Sequence, residues 1–355
     1  MKIAVVGAGI AGLACAIAMA DRGHAVDLAE RRPEGRSEGA GVILWDRACR
    51  VLDGLGLLDS VAPRAEVLHG LVRRQLDGAA IDTFDFRGGG NAFAALAVRR
   101  VHLVDAMTAA ARQRGVTLAF DLPAVSVLAE GGVDAPAVLA LGDGRRVEAD
   151  LVVGADGRMN SVVGARVRGI ARVDQGLVTW VASAPSLGDR LGQVAVDLWG
   201  PGARLGVVPC GGGGVYWAAT ARADLVPATR PWRETVQSLL PGRDGLVRDV
   251  LAATPEDAVH RHDLFDLEPG GPWHLGRLVL VGDAAHASLP TTGQGAAEAL
   301  MDASTLAGLL PRSPAFETLN DALGRYVGAR EAAARAGVFA AREVARRVFG
   351  PPSAR

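Results

Sequence analysis

The sequence predicts an α/β fold, with a parallel sheet opening the chain, an antiparallel sheet inserted into it and helices at the C-terminal end. Three observations carry this. An apolar run, Lys2 to Val6, leads into Gly7-Ala8-Gly9-Ile10-Ala11-Gly12 and then into a stretch of helix formers. Two later apolar runs, through Leu151 to Gly154 and Leu278 to Val281, each stop at an aspartate flanked by small residues. Between them, residues 174–222 alternate strand-like runs with glycine and proline turns.

The first thirty residues form one unit. Lys2 to Val6 has the short, continuously apolar pattern of a strand buried on both faces. Leu13 to Arg22 reads as a helix ended by Gly23, and Ala25 to Ala29 as a second strand stopping at Glu30. In the turn, Gly7 permits the tight bend, Gly9 lets the backbone approach a pyrophosphate, and Gly12 lets helix and strand pack closely. The helix start offers free N–H groups and the positive end of its dipole to phosphate. Glu30, eighteen residues beyond Gly12, is placed to accept hydrogen bonds from a ribose, and its charge disfavours a 2′-phosphate. The unit is Rossmann-like, and its ligand is FAD or NAD and not NADP.

Two further segments extend the sheet. One runs through Val153-Gly154-Ala155-Asp156-Gly157 to Ser161; the other runs from Gly276 through Gly282-Asp283-Ala284-Ala285-His286 and Pro290 to Gly293-Gln294-Gly295, where a helix of small residues begins. The inserted sheet is read from Leu177 to Ala182, Val194 to Trp199, Arg204 to Val208 and Val215 to Ala221, with Gly211 to Gly214 as a hairpin tip. Residues 231–253 read as helical. Residues 315–347 read as one or two alanine- and arginine-rich helices packed on the nucleotide-binding domain.

Composition excludes several classes. The 355 residues leave room for roughly two domains at about 150 residues each. An apolar share of 49% against 22% charged excludes disordered and collagen-like chains. The 38 basic and 39 acidic side chains set up no field that would draw in nucleic acid or an anionic membrane. Cys15, Cys49 and Cys210 are odd in number and lack C-x-x-C spacing, so neither a disulfide framework nor a metal site is expected. The glycine spacing and second strand argue against a secretory signal, so Met1 is expected to open a cytoplasmic folded protein. No run reaches the ~18 apolar residues of a membrane span.

Taken in this order and at these spacings, the motifs resemble those of the FAD-dependent aromatic hydroxylases, single-component monooxygenases of the para-hydroxybenzoate hydroxylase type. The resemblance covers almost the whole chain. Gly7-x-Gly9-x-x-Gly12 resembles the family's ADP-binding motif, Gly154-Ala155-Asp156-Gly157 its DG motif, and Gly282-Asp283-Ala284-Ala285-His286 the motif whose aspartate holds the ribityl chain. Gly39-Ala40-Gly41-Val42 resembles the segment beside the isoalloxazine. Arg100 resembles the arginine that reaches the phosphate and ribose region. Arg204 to Pro209 with Tyr216-Trp217 resembles strands of the substrate domain. Three positions depart from the usual pattern: Val163 stands where many relatives have arginine, Ala287 where proline is usual, and Leu44-Trp45-Asp46-Arg47 where a proline-asparagine pair is usual.

The resemblance implies an FAD domain over residues 1–70, 98–172 and 274–312. A substrate domain is implied over 71–97 and 173–273, and a C-terminal helical segment over 313–355. It implies FAD contacts at Gly7, Gly9, Ala11, Gly12, Glu30 and Arg31, at Gly41, Val42, Arg100 and Val125, and at Asp156, Gly157, Asp283, Gly293, Gly295 and Ala296. Candidate substrate-pocket residues are Trp45, Arg204, Tyr216, Trp217, Pro290 and Thr291; no catalytic side chain is singled out.

The implied reaction uses NADH or NADPH and O2 to hydroxylate or epoxidise a small aromatic or polycyclic natural-product substrate through a flavin C4a-hydroperoxide. The helix start near Gly293 would then stabilise negative charge on the reduced ring. His286 reads as a structural hydrogen-bonding residue. With Tyr216 and Tyr326 the only tyrosines, a phenol-deprotonating relay is not expected, which favours a substrate already electron-rich. A monomer or homodimer is expected. A tryptophan-type halogenase is disfavoured because Lys2 is the only lysine and no W-x-W occurs. The alternatives are a flavin dehydrogenase or oxidase without oxygen insertion, and a flavin protein that binds a small molecule without turnover.

Overall fold

A computed structural model describes residues 1–35, 40–87, 95–169, 172–242 and 245–350. Gly39, the first residue of the segment read as lying beside the isoalloxazine, falls outside them. The opening apolar runs build a six-stranded sheet. From one edge it is ordered His274–Leu275 (β18), Leu278–Leu280 (β19), Leu151–Gly154 (β12), Lys2–Val6 (β1), Ala25–Ala29 (β2) and Thr117–Ala119 (β8). All neighbours are parallel except β18 and β19. β1, β12 and β19 are the consecutive apolar runs, and their side chains from Ile3 to Val6, Leu151 to Val153 and Leu278 to Leu280 are buried. Helix α1 (Ile10–Ala20) packs on this sheet between α4 (Arg100–Gln113) and α10 (Gly295–Leu309). A three-stranded antiparallel sheet of Ala124–Ala129 (β9), Ala137–Leu141 (β10) and Arg146–Ala149 (β11), with α5 (Val162–Arg168), packs against the same core.

The inserted region is a seven-stranded sheet ordered His260–Leu267 (β17), Arg172–Ala184 (β13), Gly214–Arg222 (β16), Ala203–Cys210 (β15), Val194–Gly200 (β14), Gly70–Gln75 (β5) and Ala80–Asp85 (β6). The four strands read from the sequence pair antiparallel, and the β15–β16 hairpin closes at the Gly211 to Gly214 tip. The sheet is mixed, because β5 joins β14 in parallel, with Val194 opposite Gly70. A small sheet of Gly41–Leu44 (β3), Ala65–Leu68 (β4) and Ala95–Arg99 (β7) lies between the two large ones. Helices α2 (Asp46–Gly54) and α3 (Leu58–Val61) follow β3, and α6 (Gly188–Leu191) precedes β14.

Both helical expectations are met, with detail the sequence did not give. Residues 231–253 form two helices, α7 (Trp232–Leu239) and α8 (Leu246–Ala253). Pro241 has no N–H to continue the first, and Gly245 takes a left-handed φ of 74° before the second. The C-terminal segment is one helix of 34 residues, α11 (Phe316–Phe349). It packs on α10 through Leu319, Leu323 and Tyr326, but its last turns leave the nucleotide-binding domain. There Ala341, Ala345, Val348 and Phe349 pack on Leu177, Trp199 and Leu264 of the seven-stranded sheet. α11 therefore straps both sheets. No helix among the described residues is long and apolar enough to cross a membrane.

Candidate cofactor and substrate site

Where β1 ends, Gly7 adopts a φ of 103°, and a β-carbon there would lie 2.5 Å from the Ala155 carbonyl oxygen. A β-carbon at Gly12 would lie 1.9 Å from the Gly7 carbonyl oxygen. Both positions therefore require glycine for packing. Gly9 differs, since a β-carbon there would meet nothing within 4 Å. Gly9 is the N-cap of α1, whose N-terminus has no side-chain cap and no acidic residue in its first turn. The Glu30 carboxylate lies across this turn and accepts the Ala8 N–H at 2.7 Å and the Arg32 N–H at 2.9 Å.

A cleft of about 270 Å³ opens here, lined by Gly9, Glu30 and Arg32 on one side and by Arg100, Asp105, Thr108 and Arg112 of α4 on the other. Arg32 lines it in place of Arg31, because the bend after β2 folds Arg32 back onto Glu30 and leaves Arg31 exposed. Val125 is half exposed on β9 and does not line this cleft.

The hydrogen bonds of Asp156 run within its own loop. Its carboxylate accepts the Ser161 hydroxyl at 2.6 Å and the Val162 and Val163 N–H groups at 2.6 and 3.2 Å, and so caps α5. Gly157, with a φ of 74°, turns the loop, and Arg158 reaches across to Asp283 at 2.7 Å. Asp283 opens the short helix α9 (Asp283–His286), with its carboxylate part exposed. Gly282 packs so tightly on Ala11 that a β-carbon would come within 2.8 Å of it. The His286 side chain is 9% exposed, and its Nε2 lies 2.6 Å from Asp302.

A second uncapped helix start, that of α10, follows Gly293, which has a φ of 64°; Gly295 leaves open space and Ala296 is half-buried. Gly41 and Val42 of β3 are half-buried, and Trp45 Nε1 donates to the Gly293 carbonyl at 3.0 Å. A nucleotide-binding turn with an open glycine, a carboxylate over the ribose position and two bare helix N-termini fit FAD.

Strand alternation sorts the pocket candidates. Tyr216 faces the nucleotide-binding domain, where a β-carbon at Gly41 would sit 2.2 Å from its ring. Trp217 therefore faces away, and is corrected as a pocket residue. It is fully buried, donates from Nε1 to the Thr254 hydroxyl at 2.9 Å and stacks on Trp232 of α7. Ala218 follows Tyr216 on the inner face, and its cross-strand partner Gly206 would hold a β-carbon in open space. Arg204, next along the inner face, donates to the Thr291 carbonyl at 3.1 Å and pairs with buried Asp197 at 2.6 Å. The Thr291 side chain is a second correction, since its hydroxyl donates to the Ala341 carbonyl of α11 and turns from the pocket. Pro290 is exposed in the 3₁₀ turn before it.

Small side chains at Gly206 and Ala218 thus form a bed, bounded by Tyr216 and Gly41 at one end and by Arg204 and Thr291 at the other. His260 and His262 stack at 6.4 Å on the edge strand β17, and His260 is exposed. Among the described residues, no cluster of histidine, cysteine and carboxylate could hold a metal ion. All three cysteines are buried, and none of them forms a disulfide.

Sequence reasoning passed over Arg32, Arg47, Arg158, Asp197 and Asp302. Arg158, next to the DG motif, and Arg32, two residues beyond Glu30, carried a sequence signal; the others gain their roles only from the packing of remote segments.

Residues 1–340 match the family model described as FAD binding domain. Among curated proteins, the chain is 30% identical over 335 residues to aurachin C monooxygenase/isomerase of Stigmatella aurantiaca, covering 93% of this chain and 85% of that protein. It is 33% identical to 3-amino-4-hydroxybenzoate 2-monooxygenase of Streptomyces cremeus, with 88% and 79% covered. It is 32% identical to 2-heptyl-3-hydroxy-4(1H)-quinolone synthase of Pseudomonas aeruginosa, with 90% and 83% covered. Among solved structures, Klebsiella pneumoniae HpxO complexed with FAD and uric acid superposes with a TM-score of 0.86 at 24% identity, covering 99% of this chain and 89% of that one. The tetrameric form of 2-methyl-3-hydroxypyridine-5-carboxylic acid oxygenase gives 0.78 at 26%, with 99% and 93% covered.

Proposed function

This chain belongs to the FAD-dependent aromatic hydroxylases, and from that premise we propose that its substrate is a neutral, electron-rich, fused aromatic ring. The enzyme is an FAD-dependent monooxygenase with NAD(P)H as electron donor. Bound FAD supplies the redox chemistry and the activation of O2; the chain supplies position, charge and dryness. Gly9 and the α1 N-terminus would hold the pyrophosphate, Glu30 the adenosine ribose and Asp283 the ribityl chain. Gly293 to Ala296 would hold the ring edge at the α10 N-terminus, where the dipole favours negative charge.

The neutral substrate is argued from one observation, the pairing of Arg204 with Asp197. A free guanidinium facing the bed would select a ring carboxylate by bidentate pairing. Here Asp197, 1% exposed, compensates both Arg204 and Arg73, and Arg73 also meets Asp82. The charge at this end of the bed is already neutralised. Of the relatives, one is named for a hydroxylated quinolone and another for an aminohydroxybenzoate. The paired arginine favours the first kind of ring.

A ring nitrogen or oxygen that feeds electrons to the reacting carbon also removes the need for a side-chain base. Tyr216 is the phenol nearest the bed, and burial pushes its pKa well above the ordinary tyrosine value, so it stays protonated. The bed of Gly206 and Ala218 gives a flat fused ring room against the sheet.

The test is turnover of the FAD-loaded enzyme with NADH or NADPH under heavy-isotope O2, on 4-quinolones and on aminohydroxybenzoates. The expected result is mass-labelled product and faster nucleotide oxidation with the neutral rings. Labelled product from the carboxylates alone overturns the substrate class. Stimulated oxidation that yields only hydrogen peroxide favours an oxidase.

A further inference from the structure

Behind the Gly282–His286 turn lies an ion network, buried at Asp302, Arg330 and Glu298 and open to solvent at Arg47, that reaches both segments assigned to the flavin. Asp302, on α10, is wholly buried. Its Oδ2 accepts the Gly282 N–H at 2.8 Å and lies 2.6 Å from His286 Nε2, while Oδ1 accepts Arg330 Nε at 2.8 Å. Arg330, on α11 and 5% exposed, pairs with Glu298 at 2.5 Å. Glu298 pairs with Arg47 of α2 at 2.6 Å, and Arg47 also donates to Gln294 Oε1 at 2.6 Å.

Stability alone does not account for such a network. Well-packed apolar side chains usually hold helices together as firmly as buried ion pairs. Buried charge does, however, fix direction, because each partner must keep its bond or stand uncompensated. The arms of this network end on the Gly282 N–H, on His286, on the N-cap residue of α10 and on the start of α2. Each of these adjoins a segment that would touch the cofactor. Gly282 also packs against Ala11, where a β-carbon would come within 2.8 Å.

We propose that Asp302 is a positioning residue for the flavin nucleotide. Through Gly282 and His286 it fixes the turn that presents Asp283, and through Arg330 and Glu298 it fixes the start of α10. The inference rests on the assignment of Asp283 and of Gly293 to Ala296 to FAD.

The experiment measures the FAD dissociation constant by flavin fluorescence for the wild type and for Asp302→Asn, His286→Ala, His286→Gln and Asp283→Ala. The melting temperature of each apoprotein and the visible absorption band of each holoenzyme are recorded alongside. Losing a charge-assisted bond at the turn is expected to weaken FAD about tenfold or more in Asp302→Asn and His286→Ala. His286→Gln keeps an N–H for Asp302 and is expected to recover most of the affinity. If Asp302→Asn does not fold, the His286 pair decides.

Unchanged FAD affinity in Asp302→Asn and His286→Ala, with or without a lower melting temperature, overturns the proposal when Asp283→Ala is weakened. Unchanged affinity in Asp283→Ala overturns the assignment of Asp283 itself and the proposal with it.

Discussion

Gly41 and Tyr216 meet face to face across the two halves of the molecule, with no room for a β-carbon between them. Such an atom would lie 2.2 to 2.7 Å from three carbons of the Tyr216 ring. Gly41→Ala is therefore expected to push Tyr216 or β3 aside and to cost about 1–3 kcal/mol of stability, as overpacking does. The displaced ring narrows the bed, so substrate affinity should fall as well. Urea unfolding and substrate titration measure the two effects. Tyr216→Phe keeps the ring and should leave hydroxylation within a few-fold; its abolition would show that the phenol acts chemically.

The same contact marks how far the sequence can be read. Alternation along β16 places Tyr216 and Trp217 on opposite faces, yet it does not say which face is inner. That is decided by Gly41 and Thr254, which take one aromatic each from distant parts of the chain. The glycine spacing, by contrast, is legible because Gly7, Gly9 and Gly12 lie within six residues, although the Ala155 carbonyl that crowds Gly7 comes from a distant strand. The fold class and strand runs follow from apolar patterning for the same reason. Arg47, Arg158, Asp197, Asp302 and Arg330 act through partners on other elements. A single sequence shows such residues only as charges, without their pairs.

The three glycines of the turn separate folding from binding. Gly12→Ala puts a β-carbon into the Gly7 carbonyl and should lower the melting temperature of the apoprotein and the FAD affinity together. Gly9→Ala meets no protein atom, so its apoprotein should melt within about 0.5 kcal/mol of the wild type. Its FAD affinity should still fall sharply, because the methyl group occupies the space where the pyrophosphate approaches. Equal FAD affinity in Gly9→Ala and wild type would remove the pyrophosphate from this turn.

His286 should make stability depend on pH. Burial by itself lowers the imidazole pKa, but the charge and hydrogen bond of Asp302 outweigh it and raise it above the ordinary 6.5. Folding then takes up a proton in the interval between the two values. The stabilisation is complete below pH 6.5 and is lost as pH rises through the elevated folded-state pKa. Unfolding free energies of the wild type and His286→Gln, compared from acid to alkaline pH, should differ most on the acid side and converge above that pKa. A difference that grows with pH reverses the sign and would mean that the imidazole is neutral in the folded protein.

Asp197 should set which rings enter the bed. Asp197→Asn leaves the amide able to accept a hydrogen bond but removes the negative charge shared by Arg73 and Arg204. Arg73 retains Asp82, whereas Arg204 is left with neutral acceptors, the new amide and the Thr291 carbonyl. An uncompensated guanidinium at the end of the bed attracts a ring carboxylate and gains nothing from a neutral ring. The ratio of kcat/KM for an aminohydroxybenzoate to that for a 4-quinolone is therefore expected to rise about tenfold, the worth of ~1.4 kcal/mol. The change should appear in KM for the carboxylate, because Arg204 holds it before and during reaction alike. A ratio that stays put while stability falls would assign Asp197 to scaffolding and leave the neutral-ring preference to the small side chains of Gly206 and Ala218.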